Sequence, residues 1–500
     1  MNSLGAPLSV GARPSLSEIT MHAIDKVLKR IALCLSDKDH VDWHVLVEGV
    51  FVSGAPGSGK STTVGHQLGC GILETPHSGM LILTAKAEET KTWLKRAKQC
   101  GREKDVIVFS EASGHTFDPL HYEFTRPGRG QGDIENTVDY FSTLVALGDK
   151  EKAGQGHDPF WSRGNEQSIR NSVKLLELAE EPISIPNIDR LIKSLPTRPG
   201  EIEEAQWQAK YCAQLVERIK PRKDSLSKEQ LGDLEFAIDH LLKRWPGFDE
   251  RPRSSLEMTW AGMADRFLFN PFNRIFCGGQ CSITPEMTMR DGKIIIVDFP
   301  LLEYGFETAR LIQCMIKLTF QRAWLRRDLE ESPNPVCLWQ DEFQYFVTRR
   351  DNFFQQTCRG SRVAVVCLTQ NILNLSEQLG EDQPGSKTKS FLGNLGLKIF
   401  LQQNEIESCN FAADQIGKEY TYLEGYNASA GQNEHAGVSG TKHLTHILEP
   451  VEFTKLQKPD SDSPYAEGIV YLSGRSFEAT KTPRNPKGLN YLRVLFSREI

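Results

Sequence analysis

The 500-residue chain lacks any apolar run approaching the roughly 18 residues of a membrane span. Its start, Met1 to Pro14, has no charged stretch followed by an apolar one, so the sequence predicts neither a signal peptide nor membrane insertion. Positive charge is not in excess either: 59 Lys and Arg stand against 65 Asp and Glu, a net charge of −6. That removes the global basic footprint of a nucleic-acid binder. It does not exclude one that keeps its cations in a central channel. The eleven cysteines are odd in number, scattered, and set in apolar stretches around Cys314, Cys337 and Cys367, which excludes a disulfide framework and predicts reduced core thiols. The one close pair, Cys277 and Cys281, has no second Cys/His pair at zinc-finger spacing. There is no internal repeat, no nuclease constellation, and no Asn-Lys-x-Asp tetrapeptide of the kind that reads guanine.

What the chain has is Gly54-Ala55-Pro56-Gly57-Ser58-Gly59-Lys60-Ser61-Thr62, a complete G-x-x-x-x-G-K-[ST] phosphate-binding loop. The β-branched run Val45 to Ser53 before it reads as a buried strand, and Thr62 to Leu68 after it as the first turn of a helix. In such a loop successive backbone N–H groups and the helix N-terminus make a concave anion site. Gly54, Gly57 and Gly59 supply the unusual backbone angles, and Ser58 and Thr62 complete the cradle. Lys60 is expected on the β- and γ-phosphates and Ser61 on Mg²⁺. Without a guanine-reading element, ATP is the expected nucleotide.

Strand-like runs alternate with helical ones, which predicts an α/β core with a mainly parallel sheet. Five segments are expected. Residues 1–44 are a helical N-terminal segment, loosely ordered over 1–15 and amphipathic from Ser17 to Leu35. Residues 45–133 hold the first part of the core, with further strands at Gly79–Lys86 and Asp105–Phe109. The cationic Lys91, Lys95, Arg96 and Lys98 read as a solvated helix face. Residues 134–284 lose strand character and read as an all-helical insertion. Residues 285–420 return to the core with strands near Lys293–Phe299, Val336–Gln340, Val363–Thr369 and Leu397–Leu401. Residues 421–500 go back to the core through strands near 468–472 and 491–496, after a Gly/Ser/Asn-rich stretch at 425–441 read as a mobile loop.

Ligands of open α/β sheets lie at the carboxyl ends of strands. Asp341-Glu342 ends an apolar strand and supplies what phosphoryl transfer to water asks for: Asp341 for the metal and Glu342 for the attacking water. Gln370 ends the next strand and is placed to sense the γ-phosphate. Arg359, with Arg362 in reserve, is the candidate for an arginine inserted into a neighbouring subunit's site.

The ordered set GAPGSGKST, ILTAKAEE, TFDPL at 116–120, DPFW at 158–161, VCLWQDEFQYF, CRGSRVAVVCLTQN and LGNLGLKIFL resembles the coupling ATPases of type IV secretion, the TraD/TraG group, which are conjugative relatives of the FtsK and HerA translocases. The resemblance runs from about residue 45 to 410. It implies a RecA-like P-loop NTPase core with an all-alpha insertion, ATP and Mg²⁺ as cofactors, and a homohexamer with single- or double-stranded DNA in its channel. A secretion channel, a relaxase or an effector protein would be the partner. By matching position it gives Lys60, Ser61, Asp341, Glu342, Arg359 and Gln370 the nucleotide roles, Arg359 acting in trans. Lys86 matches a family lysine, but Ala85 and Ala87 stand where Pro and Gly are usual. The family's membrane anchor is not seen, so the expected location is the cytoplasm, or the inner membrane's periphery through a partner.

Three functions are thereby open. One is an ATP-driven DNA translocase of the coupling type. A second is a soluble HerA-like ATPase that works with an effector in mobile-element maintenance, phage defence or repair. The third is an ATP-dependent assembly switch that moves no polymer.

Overall fold

A computed structural model of the chain describes residues 26–148, 159–428 and 436–498, with side chains throughout these except 148–163 and 422–441. Residues 1–15 and Asp158 of the DPFW motif lie outside the described residues, as do the side chains of the rest of that motif.

Thirteen strands occur among the described residues: β1 (Ile31–Cys34), β2 (His40–Asp42), β3 (Val50–Ser53), β4 (Gly79–Leu83), β5 (Val106–Phe109), β6 (Ile294–Val297), β7 (Val336–Gln340), β8 (Val363–Thr369), β9 (Leu397–Phe400), β10 (Lys418–Ala428), β11 (Ala436–His446), β12 (Tyr465–Leu472) and β13 (Tyr491–Ser497). Nine of them form one sheet in the order β13-β12-β9-β3-β8-β7-β4-β6-β5. From β9 to β5 every pairing is parallel, and β12 and β13 extend the sheet as antiparallel strands. The α/β reading with a mainly parallel sheet is borne out. The central strands are apolar along most of their length because both faces are covered, with Ser53, Gln340, Thr369 and Lys398 the polar exceptions. Phe51, Leu81 and Leu83 enter one core, while their strand neighbours Val50, Val52, Met80 and Ile82 enter the other, as the two-residue strand period requires.

The first of these cores runs on into residues 134–276, taking in Phe141, Val173, Leu215 and Trp260. No strand occurs among the described residues of that region. It is fastened to the core by the helix Ile134–Gly148, whose Tyr140 hydroxyl donates to the Met315 carbonyl at 3.0 Å on the long helix Phe306–Arg326. The TFDPL motif has a structural task at this junction. Asp118 caps the helix Pro119–Thr125 through Leu120 N and His121 N, and its other oxygen accepts from Gly279 N at 3.0 Å.

Four local readings are corrected. The helix expected to Leu35 gives way to strand at Ile31, where Leu33 and Cys34 pair with Val41 and His40. Helical spacing in Ile31–Leu35 cannot be told from strand alternation over so few residues. The strand expected from Val45 begins only at Val50: Asp42 caps a short helical turn, Trp43–Leu46, and Gly49, at φ +87°, turns the chain into β3. The helix after the phosphate loop starts at Val64, two residues later than expected. Of the stretch 425–441 read as a mobile loop, 425–428 and 436–441 belong to a two-stranded hairpin, Lys418–Ala428 with Ala436–His446, built by backbone pairing that needs no particular side chains; residues 429–435 lie outside the described ones.

Candidate nucleotide-binding site

The phosphate loop leaves the carboxyl end of β3 between β8 and β9, so it opens on the side of the sheet where Asp341, Glu342 and Gln370 also emerge. Gly54 N donates to Thr369 O at 3.3 Å and Ala55 N to Gln402 O at 2.7 Å, anchoring the loop to the ends of both neighbouring strands. Gly57 and Gly59 take φ of +76° and +92°, where a side chain would be strained. Gly54 serves close approach instead: a Cβ there would lie 2.4 Å from Ser58 Oγ. That hydroxyl is buried and has no hydrogen-bond partner. Lys60 is 8% exposed and turns its ammonium onto the Gly54 carbonyl at 2.7 Å. Burial pushes its pKa below the ordinary lysine value, with Glu342 and Asp341 opposing the shift. Thr62 is exposed on the turn before the helix.

Ser61 Oγ donates to Asp341 Oδ2 at 2.5 Å, which joins the end of the phosphate loop to the end of β7. Asp341 is buried, and burial raises its pKa despite the Ser61 hydrogen bond. Glu342 stands at φ +51°, a left-handed backbone that turns its carboxylate away from the line of the strand. Both of its oxygens are held: Gln370 Nε2 donates to Oε1 at 2.9 Å and Gln344 Nε2 to Oε2 at 2.8 Å. Gln344 is fixed in turn by the Thr369 hydroxyl at 2.8 Å. Gln370 therefore orients Glu342 in this structure, a task its position alone did not reveal. Lys86 lies 3.9 Å from Glu342 with two-thirds of its side chain exposed.

These groups suit a nucleotide's phosphates and a divalent cation. A buried ammonium on a neutral carbonyl, an unpartnered buried hydroxyl and a buried carboxylate bonded only to neutral donors are polar groups that gain from strong charged partners.

Two further residues escaped the sequence reading. Arg96, read as part of a solvated face, is 3% exposed. Its guanidinium lies 5.2 Å from the Trp93 ring centroid and donates to the Ser61 carbonyl at 2.7 Å, fixing the loop's end from behind. The signal was there, since Thr90, Trp93, Arg96 and Ala97 share one helix face, but cation content hid it. Lys91, Lys95 and Lys98 on the same helix are exposed as expected. Glu89 accepts from Ala85 N at 3.1 Å, and burial, reinforced by Asp341, pushes its pKa well above the carboxylate range.

The arginine candidates are not brought to this site. Arg359 lies just before β8, at the opposite end of the sheet from the loop, 69% exposed and 3.3 Å from Glu48. It lines an open polar cleft with Gln355, Asn394 and Ser473. Arg362 enters β8 at φ +52° and donates to the Pro333 carbonyl at 3.2 Å.

Residues 335–458 match the family model described as the TraM recognition site of TraD and TraG. No curated protein matches the chain. Among solved structures the fold is similar to that of the bacterial conjugative coupling protein TrwB in complex with sulphate, at TM-score 0.59 and 13% identity over 99% of this chain and 96% of that one. The unbound form of the same protein aligns at TM-score 0.56 and 13% identity over 95% and 92% of the two chains. The plasmid coupling protein TrwB in complex with ADP and Mg²⁺ aligns at TM-score 0.55 and 13% identity over 95% and 91%. The segment thus carries a TraD/TraG sequence signature, and the chain carries the fold of TrwB.

Proposed function

We propose that the protein is an ATP-driven DNA translocase of the conjugative coupling type, working as a homo-oligomeric ring, most simply a hexamer. The observation that carries the ATPase reading is the junction of the phosphate loop with β7. Ser61 meets Asp341 there, and beside them Glu342 is held at both oxygens by Gln344 and Gln370.

In this reading Lys60 leaves the Gly54 carbonyl for the β- and γ-phosphates, and the backbone N–H groups of residues 54–62 hold the rest of the chain of phosphates. The Ser61 hydroxyl and Asp341 would hold a magnesium ion, which would supply charge neutralisation for the polyphosphate. Glu342, pre-oriented by its two amides, aligns a water and takes its proton as the water oxygen bonds to the γ-phosphorus and the bond from that phosphorus to the bridging oxygen breaks, releasing ADP and phosphate. Arg359 is exposed at the far end of the sheet and can reach a phosphate only on a neighbouring subunit. That need for a neighbour is the reason for the ring.

DNA as the moved polymer, and a partner in the secretion or relaxase machinery, are supported by the coupling-protein fold and by the match to a TraM recognition model. Within the matched segment, Tyr420 and Leu444 are exposed apolar residues paired across the hairpin β10-β11. Among the described residues no helix is long and apolar enough to cross a membrane.

The deciding measurement is ATP hydrolysis by the wild type and Glu342→Gln with no nucleic acid, single-stranded DNA and duplex DNA, at low and moderate salt. Stimulation by DNA that weakens steeply with salt and vanishes in the variant is expected. A rate indifferent to DNA would overturn translocation and favour an assembly switch.

A further inference from the structure

The chain returns to the phosphate loop after leaving it. Between the hairpin β10-β11 and strand β12 it forms a strap across the loop's lip. On one side the strap is pinned by buried Phe453 and Leu456. Two hydrogen bonds to the end of β9 add to this: Gln403 N donates to Phe453 O at 3.0 Å, and Gln402 Nε2 to Thr454 O at 3.2 Å. On the other side Glu467 N in β12 donates to Gln457 O at 3.0 Å. Because Gln402 also holds Ala55 N, the residues that end β9 position the loop and the strap together.

Between these anchors Pro459 stands against Gly59, where an added Cβ would come within 3.0 Å of the proline ring. Lys458 extends its ammonium to the Pro56 carbonyl at 3.4 Å, and its charge is felt by Lys60 across the loop. At that length the bond is weak, and its acceptor is neutral. The ammonium is held at the lip of an anion site, opposite the lysine of the loop itself, without a strong partner of its own there.

We propose that Lys458 is a second cation of the nucleotide site, carried in by the strap, and that it binds the polyphosphate of a bound nucleoside triphosphate. The proposal rests on the nucleotide reading above and extends it: nucleotide ties the strap to the loop, so occupancy of the site is communicated to β12 and to the segment that follows the hairpin.

The test compares wild type with Lys458→Ala, Lys458→Gln and Lys458→Arg in equilibrium binding of Mg²⁺ with a non-hydrolysable ATP analogue. It also measures nucleotide-free melting temperature and hydrogen exchange over residues 453–464. A charge-assisted bond to phosphate predicts roughly 10- to 100-fold weaker binding by the Ala and Gln variants, with Arg within a few-fold of wild type. Nucleotide-free melting stays unchanged. Nucleotide slows exchange over the strap in wild type and much less in the Ala variant. Equal affinity of the Ala, Gln and wild-type proteins, or a strap whose exchange responds equally in both, overturns the proposal alone. Weak binding that tracks a fall in nucleotide-free melting overturns it as well, in favour of a structural role. A wild type that binds no nucleotide overturns the phosphate-site reading itself.

Discussion

At the scale of single residues, the site is built from short polar side chains whose partners come from different strands. Glu342 shows the consequence, because its carboxylate is placed by Gln344 from its own turn and by Gln370 from the end of β8. Truncating either amide leaves the proposed catalytic carboxylate held by an amide at one oxygen only. Gln344→Ala is expected to lower kcat by about 100-fold, the effect of a misplacement near 1 Å, with nucleotide affinity within a few-fold of wild type. Steady-state hydrolysis with a parallel binding isotherm checks this, and a rise in KM at constant kcat would contradict it.

Lys398 makes a different prediction at the same scale. It sits in β9 beside the strand that launches the loop, is 2% exposed, and donates to Leu395 O at 2.6 Å. Burial pushes its pKa down to about 8. Between about 8 and 10.5 the unfolded chain holds a proton that the folded chain does not, so folding stability rises with pH through that window. At pH 7 the penalty is on the order of 3 kcal/mol. Lys398→Met should therefore be the more stable protein at pH 7, and its advantage should shrink as pH rises from 8 to 10.5. Denaturant titrations of both proteins across that range read the gap directly.

At the scale of elements, the turn after β7 is locked to the long helix Phe306–Arg326 by a buried ion pair. Lys317 and Asp351 lie 2.6 Å apart with side chains 0% and 4% exposed. The remaining bonding capacity is filled: Gln321 Nε2 and the Thr348 amide and hydroxyl donate to Asp351, and Lys317 also donates to Phe346 O. This clamp holds the segment that carries Glu342 and Gln344. Lys317→Met leaves Asp351 charged and buried, and should cost about 3–5 kcal/mol of stability. Lys317→Met with Asp351→Leu should recover part of that loss, because no uncompensated charge remains. Urea midpoints of the single and double variants decide it, and strict additivity would show that the pair is not coupled.

At the scale of the whole molecule, the sheet separates two kinds of polar group. The phosphate loop and its carboxylates lie at the carboxyl ends of the strands, and Arg359 lies at the amino end of β8. If Arg359 completes a neighbour's site, Arg359→Ala should lower hydrolysis by about 10³- to 10⁵-fold. Mixing inactive Arg359→Ala with inactive Lys60→Ala should restore activity, since the second variant lends its arginine to the intact loop of the first. Absence of rescue at any mixing ratio would assign Arg359 to its own ion pair with Glu48.

Much of this protein was legible in one dimension because its determinants are local. A phosphate loop needs glycine at positive φ and a lysine at fixed spacing, and a strand buried on both faces needs a continuous apolar run. Both are properties of a few consecutive residues, so the strands of the parallel core could be read directly, and Lys60, Ser61 and Asp341 could be picked out as candidates that the structure brings together. Short-range ambiguity limited the edges. Ile31–Cys34 and Val45–Leu46 fit helix or strand equally, and pairing partners and a cap settled them. Only the tertiary structure decided what depends on long-range contact. Arg96 is a buried support because Trp93 and the Ser61 carbonyl surround it, Gln370 holds Glu342 because β8 lies between β3 and β7, and Lys458 reaches the loop from about 400 residues away, a distance in sequence over which no local spacing signals a contact.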